Sequence, residues 1–390
     1  MTLSPRDAVI VDAVRTPIGR RKGSLAAVHG VELSAHVLRS LAERSQLDPA
    51  LVDDVIWGCV QQVGQQSFNL GRNAVLTAGW PESVPATTID RQCGSSQQAV
   101  HFAAAAIQSG QQDVVVAGGV EMMTAVPMGS PLVNKDLGFP YPTSLLERYG
   151  VDTFNQGIGA ELIAEKWGLS RETLDAYAVR SHERLAAAID ADRFSDHIAP
   201  VTLADGSTFS VDEGLRRGTS LESLAELKPV FKDDGVIHAG NASQISDGAS
   251  AVLLMAAEKA ESLGLTPIAR FHTGALAGDD PVMMLTAPIP ATHKVLERSG
   301  LSLSDIGVFE VNEAFASVPL AWQAEFGVDE ALLNPNGGAI AVGHPLGGSG
   351  GRIMSDLVFH MKREGIRYGL QTMCEGGGMA NATILELVRA

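Results

Sequence analysis

Apolar positions along the chain follow two alternating rhythms. Short continuous runs at 8–11, 55–60 and 114–117 are separated by stretches with helical spacing at 31–44 and 99–109. The first pattern predicts buried strands and the second predicts amphipathic helices. Their alternation predicts α/β architecture. The C-terminal third repeats the rhythm, because Leu51-Val52-Asp53-Asp54-Val55-Ile56 resembles Leu303-Ser304-Asp305-Ile306-Gly307-Val308. The run ending in Gly118-Gly119 also has a counterpart in 371–374, followed by Gly376-Gly377-Gly378. Two echoes in the same order point to a duplicated unit.

Residues from about 120 to 245 break this rhythm. They open with a Pro- and Gly-rich stretch at 127–142 and continue into 171–191, where Leu174, Ala178, Leu185 and Ile189 recur at helical spacing. Ser170 with Glu172 suits a helix start. The region reads as an inserted loop or lid domain. Apolar, Ala-rich sequence resumes at 249–257. The expected division is therefore 1–119 with 246–266 as one half, 120–245 as the insertion, and 267–390 as the second half.

Composition narrows the function. At 390 residues, 45% hydrophobic and 19% charged, the chain is globular and long enough for more than one domain. Its net charge of −16 repels polyanions and argues against a nucleic-acid surface, so an anionic ligand requires a local basic pocket. The three cysteines, Cys59, Cys93 and Cys374, form no CxxC pair, which argues against a disulfide framework or a structural zinc site. No apolar run approaches the roughly 20 residues of a membrane helix. Met1 leads into the first strand without a signal-peptide core, and Leu387-Val388-Arg389-Ala390 is no peroxisomal address. A cytoplasmic protein is expected.

Four short motifs carry candidate chemistry. Cys93, in Gln92-Cys93-Gly94-Ser95-Ser96, falls just before a helical stretch. A helix N-terminus can lower a thiol pKa from about 8.5 and make a nucleophile, although a free cysteine is as readily a core residue. His344 lies in Gly343-His344-Pro345-Leu346-Gly347-Gly348, whose spacing matches neither a P-loop nor a dinucleotide fingerprint. Cys374 ends a strand before three glycines, and Asn312-Glu313-Ala314-Phe315-Ala316 follows the strand 307–311. Strand ends are where α/β sheets place their sites, while an Asn there can equally cap a helix.

Taken together the motifs resemble the thiolase family. The resemblance rests on Cys93-Gly94-Ser95-Ser96, Gly240-Asn241-Ala242-Ser243 with Asp247-Gly248-Ala249, Asn312 to Ala316, Asn336-Gly337-Gly338-Ala339-Ile340-Ala341 leading into the His344 turn, and Cys374 to Gly378. It spans nearly the whole chain in the family's order. It implies a five-layered αβαβα fold of two duplicated halves with an inserted loop domain that helps bind coenzyme A. It further implies Cys93 as the acylated nucleophile, His344 as its activator, Cys374 as acid and base, and Asn312 as the holder of a water. Backbone N–H groups of Cys93 and Gly376 would form an oxyanion hole. Ser243 would meet the pantetheine arm, and Arg216, with Arg217 beside it, the phosphates or adenine. Cys59 has no place in the pattern and reads as core.

The implied activity is degradative 3-ketoacyl-CoA thiolysis, with coenzyme A as a substrate, no permanently bound cofactor or metal, and a homodimer or homotetramer as the assembly. A biosynthetic acetyl-CoA acetyltransferase is the near alternative. A non-catalytic acyl or sterol carrier is the distant one, since a carrier would be free to lose both thiols, Asn312 and His344. Some positions depart from the family's usual pattern: Asp90 where many members have Asn, Ser96-Gln97 in place of Gly-Leu, and Asn155-Gln156-Gly157 where acetoacetyl-CoA thiolases usually carry His-Met-Gly. With Met122, Met123 and Met128 as candidates for an adaptable pocket lining, they point to bulky or steroid-derived acyl groups.

Overall fold

The computed structural model describes residues 3–388, so the last two residues of the C-terminal tetrapeptide lie outside the described residues. The chain opens with β1 (Ala8–Arg15), β2 (Gly19–Arg20), α1 (Gly30–Ser45), β3 (Asp54–Gly58), α2 (Leu70–Thr77), β4 (Ala86–Ile89), α3 (Ser95–Gln108) and β5 (Val114–Met122). It then leaves the sheet for α4 (Thr143–Tyr149), α5 (Gln156–Lys166), α6 (Arg171–Asp190), the ribbon β6 (Val201–Thr202) and β7 (Thr208–Phe209), and α7 (Leu221–Ala225). It returns as β8 (Ser246–Ala256) and α8 (Ala257–Ser262). The rest is β9 (Ala269–Gly278), α9 (Pro288–Ser299), β10 (Val308–Val311), α10 (Ser317–Phe326), α11 (Ala339–Val342), α12 (Leu346–Glu364), β11 (Tyr368–Glu375) and β12 (Met379–Leu387).

The pairing order repeats. β3 and β5 are parallel, β8 runs antiparallel to β5, and β1 runs antiparallel to β8. In the same way β10 and β11 are parallel, β12 is antiparallel to β11, and β9 is antiparallel to β12. β4 adds a parallel edge strand beside β3. Only Val9↔Arg270 and Ile10↔Ala269 join β1 to β9 and make one hydrogen-bonded path of all these strands. The sequence echoes at 51–56 and 303–308 mark equivalent strands, β3 and β10.

Three apolar clusters fill the four spaces between five layers, the middle one lying on both faces of its helices. α1 and α2 put Leu33, Leu38 and Val75 against Val9, Trp57 and Val116 on one face of the first half. α3 and α12 form the middle layer, where Val100, Ala103, Met354 and Val358 pack between Ile10, Val115 and Leu254 on one side and Val308 and Leu385 on the other. Ala291 and Val295 of α9 and Trp322 of α10 cover Phe309, Leu370 and Ile384 on the far face. This is the expected αβαβα order.

Ser170 caps α6 through Thr173 N, as read from the sequence. The glycine pair Gly118-Gly119 does not end its strand, because β5 continues to Met122. Its role is close approach: a Cβ on Gly119 would lie 2.1 Å from Gly347 O, and one on Gly347 would lie 2.7 Å from the Cys59 Cα. Farther along α12, a Cβ on Gly350 would lie 2.3 Å from Gln97 N on α3. These absent side chains let the middle-layer helices touch each other and the strands backbone to backbone, which brings the turn before α12 to the start of α3.

Gly350→Ala therefore forces α12 and α3 apart and should destabilise the fold by about 1–3 kcal/mol, as overpacking does. Urea denaturation reads this as a lowered midpoint with an unchanged slope. An unchanged midpoint would show that the two helices tolerate separation.

Candidate active site

Cys93 lies in the turn between β4 and α3. Gln92, just before it, has φ +48, a region non-glycine residues seldom occupy. The turn is held in that conformation by Asp90 Oδ1, which accepts from Gln92 N at 2.7 Å, and by Ser95 Oγ, which donates to Gln92 O at 2.6 Å and accepts from Arg91 N at 2.9 Å. The result is a thiol buried beside Met123, Leu346 and Met373 at the N-terminus of α3. The expected lowering of its pKa does not occur in the resting site. Burial, followed by the negative charge of Glu375, pushes the Cys93 thiol up to about 12.

His344 sits between α11 and α12. Its backbone N–H is held at 3.2 Å by both Gln244 O and Ser246 Oγ. Its Nδ1 is 2.6 Å from Ser349 Oγ, and Ser349 spends its only hydroxyl proton on Pro345 O at 2.7 Å. Nδ1 must therefore be the protonated nitrogen. That leaves Nε2 with a free lone pair, and it is buried without a protein partner. Burial, with Arg352 nearby, lowers His344 to about 3, so the imidazole rests neutral.

Cys374 lies near the end of β11, in one apolar cluster with Ala314 and Phe315. Burial, then the neighbouring Cys93, pushes its thiol well above the ordinary range. Asn312 follows β10 and is fixed to β11 by its N–H on Thr372 O at 3.1 Å. It does not cap α10, whose N-cap is Ala316. Instead both its amide Nδ2 and Oδ1 are buried and unpartnered. Side-chain packing joins the two cysteine segments, since a Cβ on Gly376 would meet Gln92 Oε1 at 3.0 Å. The N–H groups of Cys93 and Gly376 donate to no protein acceptor among the described residues.

A groove of about 640 Å³ lies beside this cluster, lined by Arg20, Arg21, Glu213, Arg216, Phe231, Ser243 and Ile245, while Cys93, Asn312, His344 and Cys374 do not line it. Ile245 also packs against the cluster that contains Cys93. Ser243 N donates to Ala314 O at 2.9 Å, which sets the groove against the Asn312 loop. Arg21 and Arg216 supply local positive charge here, while Arg20 stands opposite Glu213, which also lines the groove, at 3.6 Å. Arg217 does not join them, because it pairs with Asp190 at the surface, with Nη1 to Oδ2 at 3.0 Å. The substrate-size readings also change. Asn155 caps α5 by accepting from Gly157 N and Ile158 N, Met122 lies in the outer core, and Met128 is exposed. Only Met123 reaches the Cys93 cluster.

Comparison with known proteins decides the family. The thiolase N-terminal domain model matches residues 8–258 and the thiolase C-terminal domain model matches 265–387. The chain belongs to the thiolase family. It is 51% identical over 385 residues to a steroid 3-ketoacyl-CoA thiolase, FadA6, of Mycobacterium tuberculosis, covering 97% of this chain and 94% of that protein. It is 45% identical over 390 residues to the 3-ketoacyl-CoA thiolase FadA of Escherichia coli K12, covering 97% and 99%. A crystal structure of a Bacillus anthracis acetyl-CoA acetyltransferase superposes with a TM-score of 0.91 at 38% identity, covering 99% of this chain and all of that one. No helix among the described residues is long and apolar enough to cross a membrane.

Several residues that shape this thiolase site are not singled out by sequence reasoning. Glu121 is buried and accepts from Val60 N, Gln61 N, Gly347 N and Gln66 Nε2 at 2.9–3.0 Å, which ties the His344 turn to the first half. Glu313 accepts from Tyr177 Oη at 2.9 Å, Ser181 Oγ at 2.7 Å, Asn334 Nδ2 at 3.1 Å and Ile340 N at 3.1 Å. Ser349 sets the tautomer of His344. Its only sequence signal is a hydroxyl five residues after a histidine in a glycine-dense turn.

Ser349→Ala frees His344 to adopt the other tautomer. The expected effect is a fall in kcat of about tenfold, a fraction of what a positioned base contributes, with KM little changed. Steady-state kinetics with one 3-ketoacyl-CoA checks it, and a rise in KM alone would count against this role.

Proposed function

We propose that this thiolase is a degradative 3-ketoacyl-CoA thiolase that transfers the acyl group through Cys93 to coenzyme A. The observation that carries this reading is the arginine-lined groove ending at Ser243 and Ile245, where Gln244 holds His344 and Ile245 meets the Cys93 cluster. Arg216 and its neighbours suit the anionic end of coenzyme A, and Ser243 suits its amide-bearing arm.

In the acylation half, Cys93 Sγ bonds to the keto carbon while its proton passes to His344 Nε2. The charge that develops on the keto oxygen lies toward the N–H groups of Cys93 and Gly376, where each donor contributes about 2.7–4 kcal/mol. The bond between the α-carbon and the keto carbon then breaks. Its electron pair leaves as an acetyl-CoA enolate, whose oxygen sits between His344 and a water held by the amide of Asn312. Cys374 gives its proton to the α-carbon. In the second half the Cys374 thiolate takes the thiol proton of incoming coenzyme A, whose sulfur displaces Cys93 from the acyl group. The proton on His344 returns to Cys93.

The sequence resemblance and the family relatives favour degradation over the biosynthetic acetyl-CoA acetyltransferase direction. The exposed apolar residues Val133, Leu137 and Phe139 and the sheet edge at β4 support a homodimer or homotetramer. We place the protein in the cytoplasm.

Two measurements test this reading. Brief exposure to substrate followed by peptide mass analysis should place the acyl adduct on the Cys93 peptide, and Cys374→Ala should still acylate while losing exchange of the acetyl-CoA α-proton. An adduct confined to Cys374 or Cys59, or normal exchange in that variant, would reverse the roles.

Thiolysis over a panel of 3-ketoacyl-CoAs from four carbons to polycyclic acyl groups should give a higher kcat/KM for long or ring-bearing substrates. Each further buried methylene contributes about 0.8 kcal/mol, close to fourfold. A clear preference for acetoacetyl-CoA would restore the acetyltransferase reading.

A further inference from the structure

Glu375 is a fully buried carboxyl that the thiolase chemistry above does not use. It follows Cys374 on β11 and points to the opposite face, against the turn that carries the nucleophile. A Cβ on Gly94 would lie 2.0 Å from Glu375 Oε1, so the carboxyl rests directly on the residue after Cys93. Both carboxyl oxygens lack a hydrogen-bond partner. Asn381 shares the contact: its Nδ2 donates to Gly94 O at 3.0 Å, while its Oδ1 is also buried and unpartnered. An ionised carboxylate in such a place carries a heavy desolvation cost, whereas a neutral carboxyl has an O–H to offer an unpartnered acceptor.

We propose that Glu375 is a positioning residue acting through Cys93, a carboxyl held neutral during acylation whose ionisation suppresses the nucleophilic thiolate. The charged and titratable groups facing it are Arg91 and Asp90 from the β4–α3 turn, with Cys93 and Cys374 at the site. Glu121 and the same Asp90 also act on Cys93. Burial raises Glu375 to about 8, with Arg91 opposing that rise and Asp90 adding to it. Below that pH Cys93 feels no charge from Glu375. Above it, a negative charge beside the sulfur opposes formation of the thiolate. A shift of about one pKa unit changes the thiolate fraction about tenfold. The inference rests on Cys93 being the nucleophile.

The test is the rate of Cys93 alkylation by iodoacetamide from pH 6.5 to 9.5, with the labelled residue identified by peptide mass. In the wild type the logarithm of the rate should rise with pH, flatten near pH 8 and rise again. Glu375→Gln should rise without the inflection, matching the wild type at pH 6.5 and exceeding it about tenfold at pH 9.5. Arg91→Gln, which removes the opposing cation, should move the inflection to higher pH and decides the matter if the Glu375→Gln variant does not fold. Superimposable wild-type and Glu375→Gln profiles with Cys93 labelled, or an inflection that Arg91→Gln leaves in place, would overturn the role of Glu375 alone. Labelling at Cys374 instead of Cys93 would overturn the nucleophile assignment and this inference with it.

Discussion

The close packing of α12 against α3 and the strands beneath it is the constraint on which the rest of the site depends. His344 lies in the turn before α12 and Cys93 in the turn before α3, so their relation is set by how near the two helices come. With a side chain at Gly347 or Gly350, a Cβ would overlap the Cys59 Cα or Gln97 N. No rotamer change relieves such a clash, because the obstruction is backbone. The glycine-dense sequence after His344 is therefore a spacing device. A phosphate loop would spend the same residues on N–H groups aimed at a ligand, whereas here they are spent on contact between layers.

Once the layers are set, buried carboxylates fix the loops. Glu121 gathers five donors, the Cys59 thiol at 3.8 Å among them, and Glu313 four, and each holds a loop that ends at the candidate site. Arg15 does the same between the insertion and α12, with Asp212 at 2.7 Å and Asp356 at 2.9 Å. Satisfied buried groups of this kind rigidify. Against them stand groups left unsatisfied at the site itself, His344 Nε2 and both amide atoms of Asn312. Such atoms cost stability, of order 1–3 kcal/mol each, and these three are free to accept or donate to a substrate or a water.

The α/β alternation and the duplication were legible in the sequence because they follow from local patterns: apolar runs at 8–11 and 114–117, helical spacing at 31–44, and echoes that fall on equivalent strands. The αβαβα layering came only from the resemblance to the thiolase family, because which faces stack is set by long-range packing. The candidate residues Cys93, His344, Cys374 and Asn312 were legible because each stands in a short motif at a strand or helix end. Ser349, Glu121 and Gln244 were not, since their meaning lies in partners that only folding supplies. Arg217 beside Arg216 shows the limit from the other side. The two are adjacent in sequence, yet one lines the groove while the other is spent on Asp190, and nothing local distinguishes them. Met122 and Met128 show the same limit, because of the three methionines read as candidates for a pocket lining one is spent in the outer core and one is exposed.

The lowered pKa expected for Cys93 is the reading that magnitudes overturn in the resting site. A helix N-terminus favours a nearby anion by about 0.3–1 kcal/mol, up to about 2 when partly buried. Removing an ion from water costs several kcal/mol even after relaxation, and three carboxyl groups, Glu375, Glu121 and Asp90, stand near enough to oppose a negative sulfur. Burial therefore wins. It moves Cys93 up and His344 down, so the pair rests as thiol and neutral imidazole. A site of this kind has no standing thiolate to be oxidised or alkylated at leisure. In the proposed mechanism, proton transfer to Nε2 accompanies attack on the substrate carbonyl, as the negative charge passes from sulfur to an oxygen that backbone N–H groups can hold.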